Sequence, residues 1–122
     1  MDEARAATLR MFATGKPMPD AVFVANDHMA LEVMDTLRME LGLQVPNDVS
    51  VVGYDDVPAA AWRSYNLTTV RQPANRMVTA TVETLLAKID DRNKPPAKVE
   101  IDGPLILRES AHIPDGWNSE RV

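Results

Sequence analysis

Two pairs of polar side chains each follow a short apolar run, and their types and positions could support chemistry. Asn26 and Asp27 follow the run AVFVA, and Asp55 and Asp56 follow the run VSVVGY. A carboxylate accepts hydrogen bonds from hydroxyl or amino groups, whereas an amide both donates and accepts them. Such groups on one rim can bind a polyhydroxylated or amine-bearing small molecule.

The position of each acid in the chain predicts a different task for it. Neighbouring residues on a strand point to opposite faces, which argues against a catalytic dyad of Asp55 and Asp56. We expect one of the two to face a cleft and the other to hold a turn. Asp27 lies just before a helical pattern and is predicted to be its N-cap, which is a structural task.

The sequence argues against a metal site, an enzyme active site, a nucleic-acid surface and a membrane span. The chain has no cysteine and two histidines, and His28 and His112 lie too far apart in sequence for a metal-ligand motif. No phosphate-binding loop or nucleophile elbow occurs, so we expect no enzyme, no metal site and no cofactor. The net charge of −5 argues against a nucleic-acid surface within these 122 residues. No apolar run is long enough to cross a membrane.

Apolar periodicity predicts the elements that position the polar residues. Short buried runs alternate with segments of 3.6-residue period, which predicts an α/β fold with a mostly parallel sheet and flanking helices. The predicted helices cover residues 3–14, His28–Leu41 and Pro73–Ile89, and the predicted strands cover Ala21–Ala25, Val49–Tyr54 and Leu67–Gln72. One or two helical turns are predicted for 58–65, two strand-like pieces for VEIDGPLILRES, and a disordered tail for 114–122. Parallel sheets bind ligands at the carboxyl ends of their strands, where both polar pairs would lie.

Longer phrases carry a resemblance to a known family. AVFVANDHMALEVM, VPNDVSVVGYDDVP, LTTVRQP and LILRES, in this order and spacing, resemble the C-terminal part of lactose repressor (LacI/GalR) family transcription regulators from about residue 19 to residue 110. The resemblance implies a partial lobe of the type I periplasmic-binding-protein-like fold. It also implies the effector-sensing part of a cytoplasmic DNA-binding repressor that responds to a sugar or similar metabolite. The family's helix-turn-helix headpiece and most of its N-terminal lobe are not expected in 1–122.

The same resemblance implies roles for individual residues. Asn26 and Asp55 match positions that contact the effector, and Gln72 lies on a strand-to-helix crossover near the cleft. Asp27 matches the helix-cap position beside them. Operator DNA would be bound through the missing headpiece.

Assembly is also implied by the resemblance, because members of the family dimerise through the helix after Asp27 and the stretch after Asp56. We therefore expect a homodimer with Leu31 and Trp62 at or near the interface. The helix Pro73–Ile89 packs in the other lobe in that family. In this chain it would either fold back on the sheet or swap into a neighbouring chain.

Two alternative functions remain open at this level. A periplasmic sugar-binding protein has the same fold and would carry an export signal upstream. A flavodoxin-like domain could use Asp55 and Asp56 to bind magnesium. What precedes Met1 would separate the first alternative from a repressor, and metal-dependent phosphotransfer would support the second.

Overall fold

Apolar runs and amphipathic segments alternate along the chain and form a sheet with helices beside it. The computed structural model describes residues 2–115. The helices are α1 (Asp2–Met11), α2 (Asp27–Asp35) and α3 (Ala74–Asp90), and the strands are β1 (Ala21–Phe23), β2 (Ser50–Asp55), β3 (Thr68–Arg71) and β4 (Leu105–Ile106). A π-helical turn, Thr36–Glu40, continues α2, and a 3₁₀ turn, Pro58–Ala61, follows β2. The tail predicted to be disordered lies, from residue 116 on, outside the described residues.

The sheet has the order β1-β2-β3-β4 among the described residues. The first three strands are parallel and β4 is antiparallel to β3, which confirms the predicted parallel pairing of β1 with β2. Val22 pairs with Val51, and Val52 pairs with Thr68. The carboxyl ends of β1, β2 and β3 therefore meet at one edge.

A single apolar cluster joins α2 and the π-helical turn to the sheet. The helix contributes apolar residues spaced at the 3.6-residue period. The sheet contributes residues in and next to β2 and β3. Its fully buried members include Ala30, Met34, Leu37, Val49, Val51 and Leu67. This burial fixes which face of α2 meets the sheet, and so places the first turn of α2 beside the ends of the strands.

The predicted helix His28–Leu41 is confirmed as α2 and the turn that continues it, but its second half is π-helical and not α-helical. The N–H of Leu41 donates to the carbonyl of Thr36 at 3.1 Å, five residues back, where an α-helix would use the residue four back. The hydroxyl of Thr36 donates to the carbonyl of Glu32 at 2.8 Å and so competes for an α-helical acceptor. Gly42 then ends the helix with a φ of 65°, a conformation that glycine adopts readily.

The two strand-like pieces predicted around Gly103 reduce to one. Only Leu105–Ile106 pairs with β3, whereas 99–102 form no strand. The chain then enters the gap between the starts of β2 and β3. There the carbonyl of Ser110 accepts from Val51 N at 2.8 Å, and the hydroxyl of Ser110 accepts from Thr68 N at 2.8 Å. Ser110 thus holds this segment by one backbone bond and one side-chain bond, and strand periodicity predicts neither.

The helix α3 extends away from the sheet, and no residue along it is buried. Its apolar face, Val78, Val82, Leu85 and Ile89, remains between about half and two-thirds exposed. Of the two arrangements expected for it, folding back on the sheet is therefore wrong for this chain. No helix in the described part of the chain is long and apolar enough to cross a membrane.

Gly53, in β2, allows close packing at the centre of the fold. A Cβ at this position would overlap Oδ1 of Asp27 and would lie 3.0 Å from Cδ2 of Leu67. Asp27 is fully buried and Leu67 is a core residue, so neither side chain can move into solvent.

We predict that Gly53→Ala destabilises the fold by about 1–3 kcal/mol, because the extra methyl group overpacks a filled site. Urea unfolding followed by circular dichroism measures the change. In an Asp27→Ser background the same substitution should cost less, because the overlapping carboxylate is gone. An equal cost in both backgrounds would contradict the assignment of the overlap to Asp27.

Candidate functional site

The polar side chains predicted for the site lie at the edge where the three parallel strands end. Asn26 follows β1, Asp55 ends β2 and Gln72 follows β3, and each of these residues is half-buried. Nε2 of Gln72 donates to Oδ1 of Asp55. The structure thus brings Asp55 and Gln72 into contact and places Asn26 at the end of the neighbouring strand.

Asn26, and not Asp27, is the N-cap of α2, so the predicted cap was wrong by one residue. Asn26 has an extended backbone, with φ −153° and ψ 163°, and its side-chain oxygen accepts from Met29 N at 2.9 Å. A cap needs this extended geometry, whereas Asp27 is already the first helical residue. The cap uses the oxygen of Asn26 and leaves its amide NH₂ group to donate to a ligand.

Asp27 is instead the buried acceptor that joins three elements. Its Oδ1 accepts from the hydroxyl of Thr69 in β3 at 2.6 Å, and its Oδ2 accepts from the N–H of Val57, just after β2, at 3.0 Å. The carboxylate also lies in the first turn of α2, where the helix dipole favours a negative charge. Asp27 therefore fixes how α2, the end of β2 and β3 meet.

Asp55 and Asp56 form a strained turn at the end of β2. Their φ angles are 130° and 60°, in the region that favours glycine, although Asp56 lies where aspartate is tolerated. Such conformations cost about 1–3 kcal/mol each and persist where surrounding contacts hold them. The two side chains have different partners: Asp55 contacts Gln72, whereas Asp56 pairs with two arginines.

Arg71 and Arg108 both pair with Asp56. Nε of Arg71 lies 2.8 Å from Oδ2, and Nη2 of Arg108 lies 2.8 Å from Oδ1. Burial by itself raises the pKa of Asp56, but the hydrogen bonds and charges of the two guanidinium groups outweigh it and hold that pKa below its usual value. Asp56 is therefore a structural anion.

These partners also bear on magnesium binding. Within residues 2–115, no group of three or more His, Cys, Asp or Glu side chains could hold a metal ion. Each oxygen of Asp56 already faces a guanidinium group, whose charge would repel a divalent cation. The geometry thus disfavours the flavodoxin-like alternative.

The network contains partners that the sequence did not suggest. Thr69 and Val57 bond to Asp27 across 42 and 30 residues of chain. Nothing in the run LTTVRQP distinguishes Thr69 from an ordinary strand threonine, so the available signal was only its place in a strand next to β2.

The two residues expected at a dimer interface lie in different surroundings. Trp62 follows the 3₁₀ turn and is 61% exposed. Leu31 is half-buried and packs against the edge of the core. A residue a quarter-turn from the apolar stripe still reaches the rim of the cluster.

Comparison with known proteins defines the family. The profile of the periplasmic binding protein-like domain matches residues 1–111. The chain belongs to this family. The HTH-type transcriptional repressor PurR of Photobacterium profundum is 32% identical over 108 residues, which cover 88% of this chain and 32% of that repressor. This chain thus spans about a third of the length of that curated relative.

Solved structures of this fold agree with the match. A complex of the transcriptional regulator CelR with cellobiose superposes with a TM-score of 0.79 at 34% identity, over 90% of this chain and 33% of that one. A dimeric Lac repressor superposes with a TM-score of 0.75 at 32% identity, over 91% and 40% of the two chains. The resemblance to LacI-type regulators and the periplasmic-binding-protein-like fold are both confirmed.

We predict that the stability contributed by Asp56 disappears in acid. The folded pKa lies below the unfolded value of about 3.9, so the contribution is present above that value and is lost as pH falls through the folded pKa. Near neutral pH, Asp56→Asn should lower the free energy of unfolding by about 1–3 kcal/mol. The ion pair with Arg71 should contribute the smaller part, because the Arg71 side chain is 54% exposed. Below a pH of about 4 the difference from the unmodified chain should shrink.

Urea unfolding of both proteins at a series of pH values measures this difference. Glu40→Gln is the comparison: its ion pair with Arg5 also lowers the pKa of Glu40, but the pair is exposed, so its acid-dependent change should be smaller. A difference for Asp56→Asn that stays constant into strong acid would contradict the role assigned to the ion pairs.

Proposed function

We propose that this chain is the effector-sensing part of a DNA-binding transcription repressor that responds to a sugar or similar small metabolite. The carrying observation is the half-buried carboxylate of Asp55, which contacts Gln72 at the carboxyl edge of a parallel sheet. Ligands of open parallel sheets bind at this edge. The strained φ of 130° at Asp55 adds support, since such strain concentrates at functional sites.

The chemistry of the edge matches a molecule with several hydroxyl or amino groups. The carboxylate of Asp55 can accept from two donors, and the amides of Asn26 and Gln72 offer both donors and acceptors. The related CelR structure contains cellobiose, which is such a molecule. We propose that Asn26, Asp55 and Gln72 contact the effector from this side of the cleft.

Relatives and charge support the remaining parts of the proposal. The curated relative named above is a repressor, which favours regulation over a periplasmic transport role and over enzyme activity. The net charge of −5 makes this chain a poor surface for phosphates. We propose that operator DNA is bound by a headpiece outside residues 1–122, and that the protein acts in the cytoplasm without a cofactor.

A homodimer is part of the proposal. Trp62 is a large apolar side chain that is 61% exposed, and Leu31 lies half-buried on α2. A two-fold axis near Trp62 and Leu31 would bring each of these residues close to the same surface of a second copy of the chain. The similar Lac repressor structure is described as dimeric, which supports this arrangement.

We predict that Asp55→Gly weakens effector binding without destabilising the fold. Glycine accepts the φ of 130°, so the substitution removes the carboxylate and relieves the strain. The complete regulator would first be screened by thermal shift with mono- and disaccharides, beginning with cellobiose, and with nucleosides and nucleobases. Leaving a buried hydroxyl unpaired costs about 1–3 kcal/mol, so calorimetry should show roughly five- to a hundredfold weaker binding of the hit.

Two further variants sharpen this test. Asn26→Ser keeps a side chain that can cap α2 but removes the amide NH₂ group, so it should weaken binding with little loss of stability. Glu40→Gln, at the exposed pair with Arg5, is the matched control and should bind normally. Unchanged affinity in Asp55→Gly would remove Asp55 from the site.

We predict that the chain sediments as a dimer at concentrations well above micromolar and that Trp62→Arg shifts it towards monomer. A buried aromatic anchor typically contributes about 2 kcal/mol or more to an interface. Met18→Arg, at another half-exposed apolar residue, should leave the dimer intact. A clean monomer for the unmodified chain would contradict this part of the proposal.

A further inference from the structure

Asp56 is held from two directions by cationic groups. Its Oδ2 lies 2.8 Å from Nε of Arg71, its Oδ1 lies 2.8 Å from Nη2 of Arg108, and its side chain is only 8% exposed. Both oxygens are thereby directed by charge-assisted bonds, which are stronger and more directional than neutral ones. The orientation of this carboxylate is therefore set by the two arginines.

Arg108 is itself fixed to the sheet. Its Nη1 donates to the carbonyl of Leu67 at 2.9 Å, and its backbone N–H donates to the hydroxyl of Thr68 at 2.9 Å. The Arg108 side chain is 14% exposed, whereas that of Arg71 is 54% exposed. Because the planar guanidinium group bonds the start of β3 and Asp56 together, Arg108 is the more rigid of the two partners.

The contact between Asp55 and Gln72 lies directly beside this ion-pair cluster. In the sheet, Asp55 is the register partner of Arg71, and Gln72 is the residue after Arg71. Two consecutive residues of the β2 end thus bond to two consecutive residues of the β3 end. The backbone at both acids is left-handed, so the surrounding contacts must hold the turn in place.

We propose that Asp56 and Arg108 are positioning residues that hold Asp55 and Gln72 in the arrangement that receives the effector. This inference rests on the proposed function for the role of Asp55. Neither Asp56 nor Arg108 needs to touch the ligand. Their task is to keep the strained turn closed, so that the carboxylate of Asp55 meets the amide of Gln72 before any ligand arrives.

The test is Asp56→Asn in the 122-residue chain, followed by the side-chain amide signals of Gln72 in ¹H–¹⁵N NMR spectra. Asparagine has nearly the size of aspartate and tolerates the φ of 60°, so the substitution removes the negative charge while leaving the backbone preference. In the unmodified chain these signals should be displaced from the free-glutamine position by the bond to Asp55. In Asp56→Asn they should move towards that position, while the backbone amide signals of β1 and β2 stay dispersed.

Arg108→Lys is the second variant, and it keeps the positive charge but loses the planar fork that joins Asp56 to Leu67. It should displace the Gln72 signals in the same direction, so the inference remains testable if Asp56→Asn does not fold. Glu40→Gln removes the exposed ion pair with Arg5 and should leave the Gln72 signals unchanged. Unchanged Gln72 signals in a folded Asp56→Asn or Arg108→Lys chain would overturn the inference.

Effector titration separates the failure of this inference from the failure of the proposed function. With the compound found in the thermal-shift screen, Asp56→Asn in the complete regulator should bind about tenfold more weakly, which is the low end of the loss caused by removing an outer-shell partner at metal sites. Normal binding with displaced Gln72 signals would overturn the link between positioning and binding. Displaced signals with no small molecule bound by any form would refute the proposed function and leave the positioning contacts established.

Discussion

The fold depends on one buried carboxylate. Asp27 is fully inaccessible to solvent, and its carboxyl group lies between α2 and the sheet. Burying an unpaired charge would be very unfavourable, and the structure compensates with hydrogen bonds from Thr69 and Val57 and with the N-terminal end of the helix. Gly53 provides the room, since any side chain there would meet the carboxylate. The helix, two strand ends and one glycine are thus coupled through a single side chain.

This coupling explains how the chain maintains a strained turn at its edge. Asp55 and Asp56 lie between two anchors: the bond from Val57 to Asp27 on one side and the ion pairs with Arg71 and Arg108 on the other. Backbone strain of this kind persists only where its surroundings over-determine it. As a result, the half-buried carboxylate of Asp55 is already directed towards the amide of Gln72. Because these side chains are ordered in advance, a ligand that binds them would lose less free energy to ordering them.

Other surfaces of the chain are apolar without being covered. The helix α3 has the amphipathic pattern of a packed helix, and yet its apolar face remains exposed. Trp62 adds a separate exposed aromatic side chain beyond the strained turn. Exposed apolar area of this extent is typical of interaction surfaces. The chain matches about a third of the length of its curated relative, so its described surface is not the whole surface of such a protein.

The sequence by itself determined the class of fold and the strand ends at which the proposed site lies. Apolar periodicity is a local property, so it predicted α2, β2 and β3 and the parallel sheet, and it placed Asn26, Asp55 and Gln72 at the ends of strands. The phrases around these residues were specific enough to predict the family. Only the tertiary structure decided which polar residue does what. It gave the cap to Asn26 and made Asp27 a buried acceptor, made the end of α2 π-helical, and left the apolar face of α3 largely exposed.

The reason is that a side chain's task depends on partners far away in sequence. Asp27 meets Thr69 across 42 residues, and Arg108 reaches the carbonyl of Leu67 across 41. Residue type and spacing predict that an aspartate near a helix start will accept hydrogen bonds. Its donors are decided by the packing of the apolar cluster, because this packing brings α2 close to the ends of the strands.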